Sequence, residues 1–122
     1  MSVEIGKQTG ETLLKHLQAF GNGDVDAIMT DYDEAAVLIM PDGPLRGRAE
    51  IRSGFESLLA DLPPGSTLEV SKQIVEGEIA YIVWSGESEK LKIPFATDTF
   101  VVRDGKIVAQ TFTPQMEKKT SG

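Results

Sequence analysis

The stretch Asp98-Thr99-Phe100-Val101-Val102-Arg103-Asp104-Gly105-Lys106-Ile107 decides how this chain is read. Its apolar residues recur at every second position, as in a half-buried strand. Asp104-Gly105 is a strong hairpin signal, because both residues tolerate the positive φ of a type I′ turn. Two strands, 91–103 and 106–113, are therefore antiparallel neighbours. The same period of two begins upstream at Thr67, where Leu68, Val70 and Ile74 alternate with polar residues. Glu76-Gly77-Glu78 then turns the chain into a strand over 79–88. Long strands joined by short loops imply an antiparallel meander. Pro94 lacks a ladder donor and belongs at a bulge or on an exposed side of its strand.

Before Thr67 the period is helical. Leu13, Leu17 and Phe20 form one buried face of a helix over 4–21, which Gly21-Asn22-Gly23 stops. Asp24 caps a second, shorter helix whose stripe is Val25, Ile28, Met29 and Tyr32. A short apolar strand over 35–40 meets Pro41-Asp42-Gly43-Pro44, which reads as turns. After Gly47, Ile51, Phe55, Leu58, Leu59 and Leu62 make the stripe of a third helix, ended by Pro63-Pro64-Gly65. Helices first and strands after imply an α+β fold with the helices packed on one sheet face. The polar ends, 1–3 and 117–122, are expected to fray.

Composition narrows the chemistry. The chain has 122 residues, the size of a single domain over 1–122. Its 12 Lys and Arg against 19 Asp and Glu give a net charge of −7. The longest basic run is Lys118-Lys119, so neither nucleic acid nor an anionic membrane is expected as a partner. The absence of Cys removes disulfides, thiolate metal sites and Cys nucleophiles, and a single His removes any site that needs two imidazoles. No apolar run spans a membrane and no signal-peptide pattern is present, so the expected location is cytoplasmic. With no Gly-rich phosphate loop and no metal-ligand set, no cofactor and no metal is expected.

The order helix, helix, short strand, helix and curved meander resembles the nuclear transport factor 2-like superfamily. That group includes ketosteroid isomerases, SnoaL-like polyketide cyclases and scytalone dehydratase. Gly23-Asp24-Val25-Asp26-Ala27-Ile28 is similar to its entry into helix two. Tyr32-Asp33-Glu34-Ala35-Ala36-Val37 is similar to its exit into strand one, and 98–107 to its last hairpin. The resemblance implies a cone-shaped, cystatin-like fold with a pocket between helix one and a strongly curved antiparallel sheet. It also implies a homodimer through the outer sheet face. Against ketosteroid isomerase, the oxyanion-hole Tyr falls on His16, the oxyanion-hole Asp on Asp98 and the general-base Asp on Met40. A thioether is not a usable base, so Met40 speaks against steroid isomerisation by that mechanism.

Asp98 shares a strand face with Ala96, Phe100 and Val102. A carboxylate there is desolvated, which raises its pKa and suits it to acid/base work or to donating as the neutral acid. The plainer reading has it accepting from backbone or a neighbour and holding the sheet's curve. His16 lies at the edge of helix one's apolar face, either as an interfacial His with one partner or as a donor or proton partner to Asp98. Phe20, Tyr32, Met40, Phe55, Tyr81, Trp84, Phe100 and Phe112 are the expected pocket lining, and the Trp84 indole N–H needs an acceptor that a polar ligand or Asp98 could supply. Asp31-Tyr32-Asp33-Glu34 reads as a solvated helix end rather than a metal site. Arg46 and Arg48 read as solvated, with one able to reach the pocket mouth. The expectation is a SnoaL-like enzyme of isomerase, cyclase or dehydratase type, working on a small, largely apolar molecule with Asp98 and His16. The rivals are a non-catalytic binder of a small hydrophobic ligand and a dimeric accessory module.

Overall fold

The structure, a computed structural model, describes residues 2–119. Helices α1 (Ser2–Gly21) and α2 (Val25–Met29) lead into strands β1 (Tyr32–Met40) and β2 (Gly43–Arg46). Helix α3 (Gly47–Asp61) precedes β3 (Thr67–Glu76), β4 (Ile79–Glu87), β5 (Leu91–Arg103) and β6 (Lys106–Lys118). One curved, unclosed six-stranded sheet has the order β2-β1-β6-β5-β4-β3. Helix α1 crosses its concave face against β3, β4 and β5, while α3 packs on β1 and β2. The result is an α+β cone of the nuclear transport factor 2-like type.

The local signals explain most of these elements. The Asp24 carboxylate accepts from Ala27 N at 3.1 Å and caps α2. Asp104 and Gly105 take φ of 53° and 75°, the positive pair that a tight hairpin requires. Pro94 falls inside the bulge between Lys92 and Phe95. That bulge and those after Val70 and after Trp84 bend the long strands around α1.

Long-range pairing overrides local pattern in three places. The sheet is mixed rather than antiparallel throughout, since β1 runs parallel to β6. The chain between them, with α3 and three strands, is long enough to make that crossover. Gly43 and Pro44, expected as turn, belong instead to β2, where Pro44 pairs with Ile39 on an outer strand that tolerates a missing N–H. Tyr32 starts β1 rather than ending α2. The Asp31 carbonyl accepts from Ile107 N at 2.7 Å, so the sheet claims the chain there.

Regular structure reaches close to both ends of the described residues. Helix α1 begins at Ser2, and Lys118 pairs with Leu91 at the end of β6. Lys119 Nζ lies 2.6 Å from Glu87. Met1 and 120–122, also expected to fray, lie outside the described residues.

Candidate functional site

A cavity of about 610 Å³ opens between α1, α3 and the concave sheet face. Leu17 and Phe20 line it from α1, Phe55 and Leu58 from α3, Leu38 and Met40 from β1, and Trp84, Phe100 and Phe112 from the sheet. Solvent-exposed Asp42, Glu69 and Lys118 lie at its margin. The buried polar members of its lining are His16, Asp98 and Gln110. Among the described residues no group of three or more His, Cys, Asp or Glu is placed to hold a metal ion, and no helix is long and apolar enough to cross a membrane.

Asp98 projects from β5 between Ala96 and Phe100, on the concave face that strand alternation assigns to it. It is 6 % exposed. Oδ1 accepts from Trp84 Nε1 at 2.7 Å and Oδ2 from Gln110 Nε2 at 2.8 Å. The indole donor and its acceptor stand on paired strands, since Ile82 lies opposite Asp98 and Trp84 is two residues further along the same face. Burial pushes the Asp98 carboxyl up to about 6; the donors Trp84 and Gln110 and the nearby His16 offset part of that rise. The group therefore exchanges a proton near neutral pH.

Behind it runs a chain of neutral groups. The Tyr32 hydroxyl donates to Gln110 Oε1, which turns the amide N–H₂ toward Asp98. Burial, then the Asp98 and Asp31 charges, push the Tyr32 hydroxyl well above its usual value, so it remains a donor. Two expected lining residues lie outside the cavity wall: Tyr32, with Gln110 in front of it, and Tyr81, on the opposite face of β4 from buried Ala80 and Ile82. Trp84 stacks on Phe112 with centroids 6.0 Å apart and meets the Phe20 ring edge at 5.7 Å, so aromatic packing fixes the indole.

His16 comes from α1 and is 4 % exposed. Its ring is held by edge contacts with Phe100 at 5.3 Å and with Tyr32 and Phe55 at 5.8 Å each. Its Nδ1 is buried and faces Asp31 Oδ2 at 3.6 Å, just beyond hydrogen-bond distance. Asp31 is therefore no solvated helix end: its side chain is 0 % exposed. Lys15 Nζ lies 3.1 Å from Asp31 Oδ1, an ion pair by distance, yet its direction of approach misses hydrogen-bond geometry and both carboxylate oxygens lack a hydrogen bond. Asp33 accepts from Ala35 N and Glu34 is exposed, as a helix end would have them. Neither Arg46 nor Arg48 lines the cavity; Arg48 donates to the Met29 carbonyl at 3.0 Å and holds the end of α2.

The structure thus brings Asp98, His16, Phe20, Met40, Phe55, Trp84, Phe100 and Phe112 to one cavity. Sequence reading missed Gln110 and Asp31. Gln110 had a signal, two residues before Phe112 in a strand, but a bulge inverts the face on which it falls. Asp31 had none, because its burial comes from the way α1 covers the α2–β1 turn.

Solved structures share this architecture. The epoxide hydrolase/cyclase-like enzyme SalBIII, described in pyran ring formation in the polyether salinomycin, superposes with a TM-score of 0.79 at 21% identity, over 98% of this chain and 100% of that one. An NTF-2 like protein of unknown function from Burkholderia xenovorans LB400 gives 0.74 at 24% identity, over 95% and 89%. A de novo designed protein with a curved β-sheet gives 0.77 at 16% identity, over 89% and 86%. A designed scaffold among the neighbours makes the point that this likeness establishes fold and not activity. No functionally curated protein matches the chain significantly. The SnoaL-like domain family matches residues 13–110, from the buried face of α1 to Gln110 in β6, and the chain belongs to that family.

Proposed function

We propose that this protein is a small-molecule enzyme that binds a largely apolar substrate in the cavity and carries out acid/base chemistry on it with Asp98 and His16. The observation that supports this most is Asp98 itself: a carboxyl on an apolar wall, held by two donors and pushed to about 6. A group with that value is divided between acid and base near neutral pH, where proton transfer is most effective. The cavity volume of about 610 Å³ falls within the usual range of ligand sites, roughly 300–1,000 Å³. An apolar body would lie against Phe20, Phe55 and Leu58 with an oxygen function at Asp98. The likeness to an epoxide hydrolase/cyclase-like enzyme favours opening or closing an oxygen-containing ring, among the isomerase, cyclase and dehydratase reactions that the fold supports.

The test uses the chain's single Trp, which lines the cavity and touches Asp98. Apolar epoxy alcohols and enones are titrated against indole fluorescence, and the ligands that quench it are followed by product analysis. Turnover that falls at least ~100-fold in Asp98→Asn, with quenching retained, supports the reading. Unchanged turnover sinks it.

Met40 supports a second reading. It lines the cavity as a thioether at the position where the ketosteroid isomerase resemblance puts a base, so the pocket could hold a hydrophobic ligand without converting it. Recovery of every quenching ligand unchanged would favour that reading. An accessory module with a filled interior is disfavoured by the open cavity.

A homodimer through the convex sheet face goes with either reading. The row Ile74, Tyr81, Thr99, Thr111 and Ile39 crosses five strands without a charge. Ile74 and Ile39 are each 49 % exposed, and the helices pack on the opposite face. Light scattering should report a dimer, and a monomer for Tyr81→Glu. A wild-type monomer at tens of micromolar would exclude this assembly.

A further inference from the structure

Asp31 is buried more completely than Asp98, lies outside the cavity lining and makes no hydrogen bond with either carboxylate oxygen. A buried carboxylate without donors is costly, and such a group calls for an explanation. Two cationic or potentially cationic groups approach it: Lys15 from the surface at 3.1 Å and His16 from the interior at 3.6 Å. Lys15 is 60 % exposed at its side chain and off line, so it compensates charge without satisfying the acceptor. His16 Nδ1 is itself buried and unpartnered. One unpartnered acceptor and one unpartnered nitrogen therefore face each other across a gap a few tenths of an ångström too long, and ring packing from three sides keeps the imidazole from turning away.

We infer that Asp31 is a positioning residue for His16: it holds the proton on Nδ1 and so leaves Nε2, on the opposite edge of the ring, as a proton acceptor for the cavity. The tautomer of a neutral imidazole follows the hydrogen bond that its other nitrogen makes. A carboxylate can only accept, so Nδ1 must donate. This deepens the proposed function and rests on it. Met40 offers no base, and His16 becomes one.

The step balances. A proton passes from a substrate O–H or C–H to His16 Nε2, forming imidazolium beside the Asp31 carboxylate. Asp98 in its acid form gives a proton to the substrate oxygen that develops charge. Proton exchange with solvent through the open cavity restores both groups. The other ionisable groups around His16 are Lys15, beyond Asp31, Tyr32, whose ring packs on it, and Asp98. Tyr32 stays a neutral donor to Gln110 and does not compete for Nδ1.

His16 is the chain's only histidine, so a two-bond proton–nitrogen correlation spectrum of the uniformly labelled protein shows its tautomer without assignment mutants. With the ring neutral, wild type should show Nδ1 as the protonated nitrogen and Nε2 as the bare one, the reverse of free imidazole's preference in peptides. In Asp31→Leu the pattern should move to Nε2–H. A wild-type Nε2–H tautomer, or an unchanged pattern in a folded Asp31→Leu protein, overturns the inference. If that variant does not fold, the wild-type spectrum decides alone. The Asp98 reading is separated by the pH dependence of Trp84 fluorescence. A transition near pH 6 that disappears in Asp98→Asn, together with the wrong His16 tautomer, would sink this inference and leave the proposed function standing. The reverse pair of results would do the opposite.

Discussion

Among the described residues two carboxylates are buried, and they are buried in opposite ways. Asp98 faces a cavity, and both its oxygens receive a side-chain N–H, from Trp84 and from Gln110. Asp31 lies behind the cavity wall with no hydrogen bond to either oxygen and two positive or potentially positive groups nearby. A neutral N–H donor stabilises a carboxylate but leaves it free to take a proton. The sheet acid is thus arranged to exchange a proton, and the acid of the α2–β1 turn to orient its neighbour. Burial alone does not make a carboxyl reactive; the partners decide which of the two it becomes.

The largest effect that can break this contrast is on turnover. Asp98→Asn keeps the shape and removes the proton, so kcat/KM should fall by ~10²–10⁴, the usual contribution of a general acid or base. The alkaline limb of the wild-type profile should lie near pH 6, because burial first, and then the balance of Trp84, Gln110 and His16, sets Asp98 at about 6. A loss below tenfold would make Asp98 a bystander and remove the contrast.

Stability should move the other way. The folded value of about 6 is above the unfolded reference of 3.8, so the native state binds the proton more tightly. That contribution is fully present below about pH 4 and is lost as pH rises through 6. Above it, the ionised buried Asp98 leaves the protein on the order of 3 kcal/mol less stable than its acid form does. Asp98→Asn carries no such loss. A turned Gln110 amide can accept from Asn while donating to Tyr32. Denaturant unfolding should find the variant more stable at pH 8 and the gap closing toward pH 4. A variant less stable at both values would mean that Asp98 is chiefly structural.

Most of the fold was legible because local chemistry and global arrangement agree. The Asp104-Gly105 turn, the Asp24 cap and the period-two strands lie where the sequence puts them. What was not legible depends on partners distant in the chain. Tyr32 looked like the last residue of a helical stripe until Ile107 N took the Asp31 carbonyl. The β1–β6 pairing, and β2 with it, leave no local trace. The site divides the same way. Asp98 and its Trp84 partner follow from alternation on two adjacent strands. Gln110 does not, because Val101 pairs with Ala109 and Val102 with Ile107, so Val108 is an extra residue that reverses the facing of everything after it. Counting by twos from Ile107 sends Gln110 outward; the bulge brings it in beside Asp98. Asp31 sits in an acidic run that is two-thirds ordinary surface, and only tertiary burial separates it from Asp33 and Glu34.

The smallest effects sharpen the contrast most, because they test the neutral partners that distinguish Asp98 from Asp31. Gln110→Leu removes one of the two donors, and loss of a hydrogen bond to the charged form should move the Trp84-detected titration of Asp98 upward from about 6. Tyr32→Phe acts one step further back. It leaves Gln110 Oε1 buried without its donor, which should cost about 1 kcal/mol of stability, and it frees the amide to turn, so the same titration should move upward by less than in Gln110→Leu. The His16 tautomer should not change in either variant, since neither residue hydrogen-bonds to the Asp31 carboxylate. A graded shift at Asp98 with a fixed tautomer at His16 would show that the two acids are set independently, one by the sheet's amide and indole donors and the other by the turn beneath α1. If instead Tyr32→Phe moved both, the Tyr32 hydroxyl would be coupling the two sites, and neither could be treated as independent of the other.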